Sequence, residues 1–172
     1  MLELSLLRHA KSDWGASYSG DSVRPLNSRG VRSARAVGEF VANADRVPEV
    51  ALTSPASRAK QTLELASAAG AWETRIEVAA KLYSGGTEDL LNTIRGVPGS
   101  ARLLVVGHEP TMSTAISKLI GGGSFRVPTA ALVEVLFPVI EWKKVRWGIG
   151  ELKSFTLART LLQVGYGSDG PA

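Results

Sequence analysis

Short apolar runs alternate along this chain with segments of helical periodicity, and that alternation restricts its fold more than any other feature. The order begins with "LELSLLR" at residues 2–8, where Leu2, Leu4, Leu6 and Leu7 read as a buried strand. Asn27 or Ser28 then offers an N-cap for a helix over "GVRSARAVGEFVANA", in which Val31, Ala34, Val37 and Val41 recur at helical spacing. "PEVALTS" is a second strand, followed by "PASRAKQTLELASAAG", a helix closed by Gly70. "TRIEVAAKLY" supplies a third extended segment and "TEDLLNTIRG" a short helix capped by Thr87. "ARLLVVG" is a buried strand that runs into His108, and "TMSTAISKLI" a helix ended by Gly121-Gly122-Gly123. The pattern predicts an α/β three-layer sandwich, with helices on both faces of a mostly parallel central sheet. The later stretches "AALVEVLF" and "ELKSFTLA" have little helix between them, so at least one late strand is expected to be antiparallel. Trp142 and Trp147, which lie between them, are read as core or sheet-covering aromatics.

A chain of 172 residues fits one domain, placed at 1–165, with a flexible tail at 166–172 whose Gly, Ser, Asp and Pro bury little surface. No apolar stretch is long enough to span a bilayer, and Glu3 interrupts what would be the apolar region of a signal peptide. The expectation is a cytoplasmic protein with no membrane partner. The absence of cysteine excludes disulfides, a thiolate nucleophile and thiolate metal ligands. The net charge of +4, from 20 Lys and Arg against 16 Asp and Glu, suits an anionic ligand. Those basic residues are scattered instead of clustered in runs, so nucleic acid is not the expected partner.

In open α/β sheets, ligands bind beyond the carboxyl ends of the strands, where loops diverge and helix N-termini point free N–H groups outward. Both histidines of the chain fall at such ends, His9 after the first strand and His108 after "LLVV". Arg8 precedes one of them, and Arg58 lies just inside the helix that follows the second strand, so the four can converge. Each also has a structural alternative, the histidines as hydrogen-bonded strand ends and Arg58 as a solvated helix residue.

The motifs "LLRHA", "SPASRAKQT" and "VVGHEP" resemble those of the histidine phosphatase superfamily. "RHAKSDW", "DSVRPLNSRG" and "VPTAAL" are similar to its small SixA-like branch of phosphohistidine phosphatases, and the likeness runs from about residue 1 to about residue 160. The family's usual Arg-His-Gly is here Arg8-His9-Ala10. The resemblance implies that His9 is a nucleophile carrying a phosphoryl group. It implies further that Arg8 and Arg58 clamp the transferring phosphoryl, that His108 adds a donor if protonated, and that neither metal nor cofactor is needed. Guanidinium forks suit that task because the transferring phosphoryl spreads charge over three oxygens.

Lys11 and Ser12 follow the nucleophile and are candidate phosphate contacts, with simple exposure as the alternative. Arg24 is a candidate substrate contact, or the partner of Asp21 in a loop salt bridge. Glu109 is expected to turn away or cap the next helix, since an anion facing phosphate repels it. Glu88 and Asp89 are the carboxylates at the position where many relatives carry a general acid, but they also read as ordinary helix N-terminal acids, and that reading is preferred. The implied activity is hydrolysis of protein phosphohistidine. The alternatives are a phosphatase of small phosphorylated metabolites or a phosphate-binding module with little turnover.

Overall fold

Successive side chains of β1 (Leu2–Arg8) point to opposite faces of the sheet. Leu2, Leu4 and Leu6 enter one core and Leu7 the other. The computed structural model describes residues 1–168. In chain order β1 is followed by α1 (Ser28–Asn43), β2 (Val50–Thr53), α2 (Ser57–Ala69), β3 (Arg75–Val78), a one-turn α3 (Lys81–Ser84) and α4 (Thr87–Arg95). Next come β4 (Arg102–Gly107), α5 (Thr111–Leu119), β5 (Leu132–Phe137), β6 (Glu151–Thr156) and α6 (Ala158–Gln163).

The strands form one six-stranded sheet in the order β3-β2-β4-β1-β5-β6. The pairs β3–β2, β2–β4 and β4–β1 are parallel, whereas β5 runs antiparallel to both β1 and β6. The alternation of the early chain thus produces the parallel part, and the late segments without an intervening long helix produce the antiparallel flank. Two apolar cores separate the layers. Leu90, Leu91 and Ile94 of α4 and Met112, Ile116 and Leu119 of α5 pack on one face of the sheet. Val37 and Val41 of α1, Leu63 of α2 and Leu161 of α6 pack on the other.

The helix ends follow from local chemistry. Asn27 caps α1 by accepting from the Gly30 amide at 2.9 Å. After α5, Gly121 and Gly123 adopt φ of 82° and 97°, a region where a Cβ is strained, and the helix stops there as expected. Trp142 is buried, with its Nε1 donating to the Ser100 carbonyl at 2.9 Å, and Trp147 stands beside Lys118.

Three local expectations need correction. Only Arg75–Val78 of the third extended segment forms a strand, fully exposed at the sheet edge, and Lys81–Ser84 turns into α3. Thr87 does not cap α4: Gly86 is the N-cap, its amide bound by Asp89 Oδ2 at 3.1 Å, while the Thr87 hydroxyl accepts from Lys118. Tyr166 and Gly167, expected in the tail, are held on α1. The Tyr166 ring meets Phe40 edge-on at 5.9 Å, and the Gly167 amide donates to Glu39. The rest of the tail, residues 169–172, lies outside the described residues.

Candidate active site

The parallel register of the central strands decides which side chains meet. β1 pairs with β4 so that Arg8 stands opposite Gly107, and the His9 amide donates to the Gly107 carbonyl at 3.0 Å. The residues one step beyond, His9 and His108, are therefore neighbours, with ring centroids 5.0 Å apart. β2 flanks β4 with Thr53 opposite Val106, which sets Ser54 beside His108. Their contact is His108 Nε2 to Ser54 Oγ at 2.8 Å. Three adjacent strand ends thus carry Ser54, His108 and His9.

α1 and α2 hold the loop after His9. The Asn27 amide donates to the Lys11 carbonyl at 3.0 Å, and a Cβ on Gly30 would stand 2.1 Å from that same oxygen, so only glycine permits this approach. Thr62 on α2 accepts from the Ala10 amide at 2.9 Å and donates to the Arg58 carbonyl at 2.6 Å. It ties the loop after His9 to the helix turn that presents Arg58.

Arg8, His9, Lys11, Ser12, Arg24, Arg58 and His108, the seven residues singled out in the sequence, all line one cavity of about 220 Å³. A larger cavity of about 760 Å³ lies at the opposite end of the sheet between Met1, Leu2, Pro98 and Trp142, and no histidine lines it. Arg8 donates to the Val127 carbonyl at 2.8 Å. Arg58 donates to the backbone carbonyl and to the carboxylate of Asp21, at 2.8 and 3.0 Å. Arg24 donates to the other oxygen of that carboxylate at 2.7 Å and also to Ser12 Oγ. Arg24 therefore makes the loop salt bridge with Asp21 and also lines the cavity. Asp21 is the hinge of this network, and it also accepts from the Tyr83 hydroxyl at 3.2 Å.

His9 is buried, with 8% of its surface exposed, and its Nδ1 lies 2.8 Å from the Ala10 carbonyl. A carbonyl can only accept, so the ring proton sits on Nδ1 and Nε2 keeps its lone pair. Burial, followed by His108, Arg58 and Arg8, pushes His9 down to about 3, although its bond to Ala10 works the other way. Burial and then Arg58 push His108 down to about 4, against the opposing pull of Asp21. Both imidazoles are neutral at neutral pH. Ser54 Oγ also accepts from the Ala56 amide at 3.2 Å. His108 Nδ1 is buried and has no partner among the described residues.

Glu109 caps the following helix, as expected, by accepting from Ser113 Oγ at 2.7 Å and its amide at 3.3 Å, although its side chain also lines the cavity. Glu88 and Asp89 do not line it. Glu88 binds Lys118 and Trp147, and Asp89 binds the Gly86 amide and Lys81. Among the described residues no three His, Cys, Asp or Glu side chains gather as a cation site. Sequence reasoning missed Ser54, Trp14, Tyr83 and Thr129. Ser54, Trp14 and Thr129 sit within the quoted motifs, but nothing in the chain order announces which neighbour of a motif turns inward.

The arrangement can bind a tetrahedral anion with four cations, Arg8, Lys11, Arg24 and Arg58, beside a neutral imidazole whose nucleophilic nitrogen is free. A family model for the histidine phosphatase superfamily (branch 1) matches residues 4–83. A Mycobacterium tuberculosis protein of uncharacterized function is 32% identical over 164 residues, covering 89% of this chain and 100% of the relative. A solved structure from Nakamurella multipartitia, assigned as the phosphohistidine phosphatase SixA, has a TM-score of 0.78 at 26% identity over 91% of this chain and 95% of the other. The protein histidine phosphatase SixA complexed with tungstate gives a TM-score of 0.81 at 23% identity over 93% of this chain and 99% of the other, a likeness of fold. No helix among the described residues is long and apolar enough to cross a membrane. With His9, Arg24 and Arg58 inside the matched stretch and His108 brought to them by the sheet, this chain belongs to the histidine phosphatase superfamily and is a phosphatase.

Proposed function

We propose that this phosphatase removes phosphate from protein phosphohistidine by way of a phosphoryl group carried on His9. One observation carries the reading: the Nδ1 contact to Ala10 leaves His9 Nε2 unprotonated in a cavity lined by arginines. Nε2 attacks phosphorus as the bond to the leaving atom breaks, and Arg8, Arg24 and Arg58 neutralise the charge on the non-bridging oxygens. Arrival of a phosphate dianion reverses the electrostatics at His108. Where arginines alone repel a proton, the anion attracts one, so His108 gains positive character as the phosphoryl group arrives. Water then attacks phosphorus, breaks the P–Nε2 bond and restores the lone pair.

The size of the cavity favours a protein-borne phosphate. At about 220 Å³ it lies below the roughly 300–1,000 Å³ common for pockets that enclose a whole small ligand, so most of a substrate stays outside. With Glu88 and Asp89 held elsewhere, the leaving group should be one that departs easily, as a phosphorylated imidazole does.

The test is to mix the enzyme with labelled phosphohistidine peptide, quench without acid and locate the label. Label on His9, released by acid and stable to alkali as an N–P bond is, is the expected result. Label on a serine, or turnover without any labelled protein, would overturn the mechanism.

A further inference from the structure

We infer that Trp14 forms the leaving-group contact of this site and selects substrates whose phosphate is attached to a flat ring. The inference rests on the reading above for the identity of that ring as imidazole, but the selection itself concerns any planar leaving group.

Trp14 lines the cavity that holds His9, Arg24, Arg58 and His108, yet it is 68% exposed. Tryptophan is enriched among the residues that carry binding energy, and this one stands beside a cavity instead of alone on the surface. Its pose is not a matter of chance. The Arg24 guanidinium centre lies 3.6 Å from the Trp14 ring centroid, and Arg24 is buried and fixed in turn by Asp21 and Ser12. The loop that carries Trp14 is closed behind it by the Asp13 amide donating to the Pro25 carbonyl at 2.8 Å and the Gly15 amide to Asp13 Oδ1 at 2.8 Å. A buried cation that serves the phosphate therefore also sets an exposed indole at the cavity's edge.

The chemistry of that edge is selective. Beyond the phosphoryl group the substrate meets an aromatic surface polarised by the guanidinium on it. An imidazole or phenyl ring gains stacking and sheds apolar hydration there, whereas a phosphoryl donor without a ring gains neither. The rival account is that Trp14 merely holds Arg24 in place, in which case its loss harms all substrates alike.

The experiment compares kcat/KM of wild type, Trp14→Ala and Trp14→Phe on three phosphoryl donors: N-phosphoryl imidazole, p-nitrophenyl phosphate and phosphoramidate, which has no ring. Trp14→Ala should lose about tenfold more on the two ring donors than on phosphoramidate, and Trp14→Phe should recover most of that difference. An equal loss on all three donors would overturn the inference, and so would an unchanged ratio. Thermal unfolding confirms that the variants fold. Turnover of phosphohistidine peptide is measured in parallel. A wild type that shows the ring effect on p-nitrophenyl phosphate but leaves that peptide intact would support the aromatic contact and overturn the proposed substrate.

Discussion

Two clusters of buried charge in this protein are built in opposite ways. On β5, Glu134 is fully buried, and its Oε2 takes Arg46 Nη1 at 2.5 Å together with the Ser154 hydroxyl. Through Oε2 the carboxylate meets a cation and a donor from within the fold, with Arg46 following α1 and Ser154 on β6, while its Oε1 has no partner among the described residues. At the carboxyl ends of β1, β2 and β4 the balance is reversed. Arg24 and Arg58 are buried but share one carboxylate, that of Asp21, which is half exposed. Arg8 Nε and Arg58 Nε have no partner among the described residues. The charge of Glu134 is matched by a cation from within the fold, whereas two buried arginines share one half-exposed carboxylate, which leaves positive charge for an anion from outside to balance.

The largest test of this contrast is removal of His9, the proposed carrier of the phosphoryl group. His9→Ala should abolish turnover while thermal unfolding stays close to wild type, since the ring's one described hydrogen bond is to the carbonyl of the next residue. Arg58→Ala should lower kcat/KM by ~10²-fold or more, as loss of a preorganised charge does, and should leave stability unchanged or raised. At the other cluster the expectation inverts. Arg46→Ala strands a buried carboxylate and should lower unfolding free energy by about 3 kcal/mol in urea titrations, with activity per folded molecule unaffected. An Arg46→Ala variant of full stability and poor activity would break the comparison.

The parallel half of the fold was legible because its strands and helices alternate with distinct periodicities, and the residues at strand ends follow once the strands are placed. Arg8, His9 and His108 belong to that class. What escaped was anything fixed by contact between distant loops. Asp21 joins Arg58 and Tyr83 across 37 and 62 positions of chain, and no local pattern encodes such a bond. Thr87 misled for a related reason: both it and Asp89 are good helix-terminal residues, and the choice between them was settled by Lys118 drawing the threonine hydroxyl away. The Arg46–Glu134 pair was equally silent, since a glutamate among the apolar residues of "AALVEVLF" names no partner.

The acid side of the pH range sharpens the contrast further. Free imidazole titrates near 6.5, but burial and the arginines hold His9 at about 3 and His108 at about 4. An NMR titration should therefore find neither ring charged above about pH 5. The sign for stability follows. Between about 6.5 and these lowered values the unfolded chain binds more protons than the native one, so stability is whole above 6.5 and declines as the pH falls toward 4 and 3. In Arg58→Ala both rings should titrate higher than in wild type, because Arg58 is among the causes that lower each. Unchanged titrations in that variant would show that desolvation alone sets the two values.

The smallest expected effect is at Asp21, where the two designs meet in one residue. Its carboxylate is held at about 2, chiefly by the hydrogen bond to Arg24, so it is an anion across the working range of the enzyme. That anion orients Arg24 and Arg58, and under the proposed function it also competes with phosphate for the same guanidinium groups. Asp21→Asn keeps the side-chain shape and one acceptor oxygen but removes the charge. Because Asp21 is half exposed, water screens much of the interaction and the change should be only a few-fold. The direction divides between two constants. KM should fall, since the competing anion is gone, while kcat should fall with it, since a carboxylate that grips both arginines is replaced by an amide that grips them less well. Asp21 also counters the cations at His108, so His108 should titrate still lower in the variant. A rise in KM with kcat unchanged would mean that Asp21 contributes to the phosphate site only by holding it together, and the competition assigned to it here would be wrong.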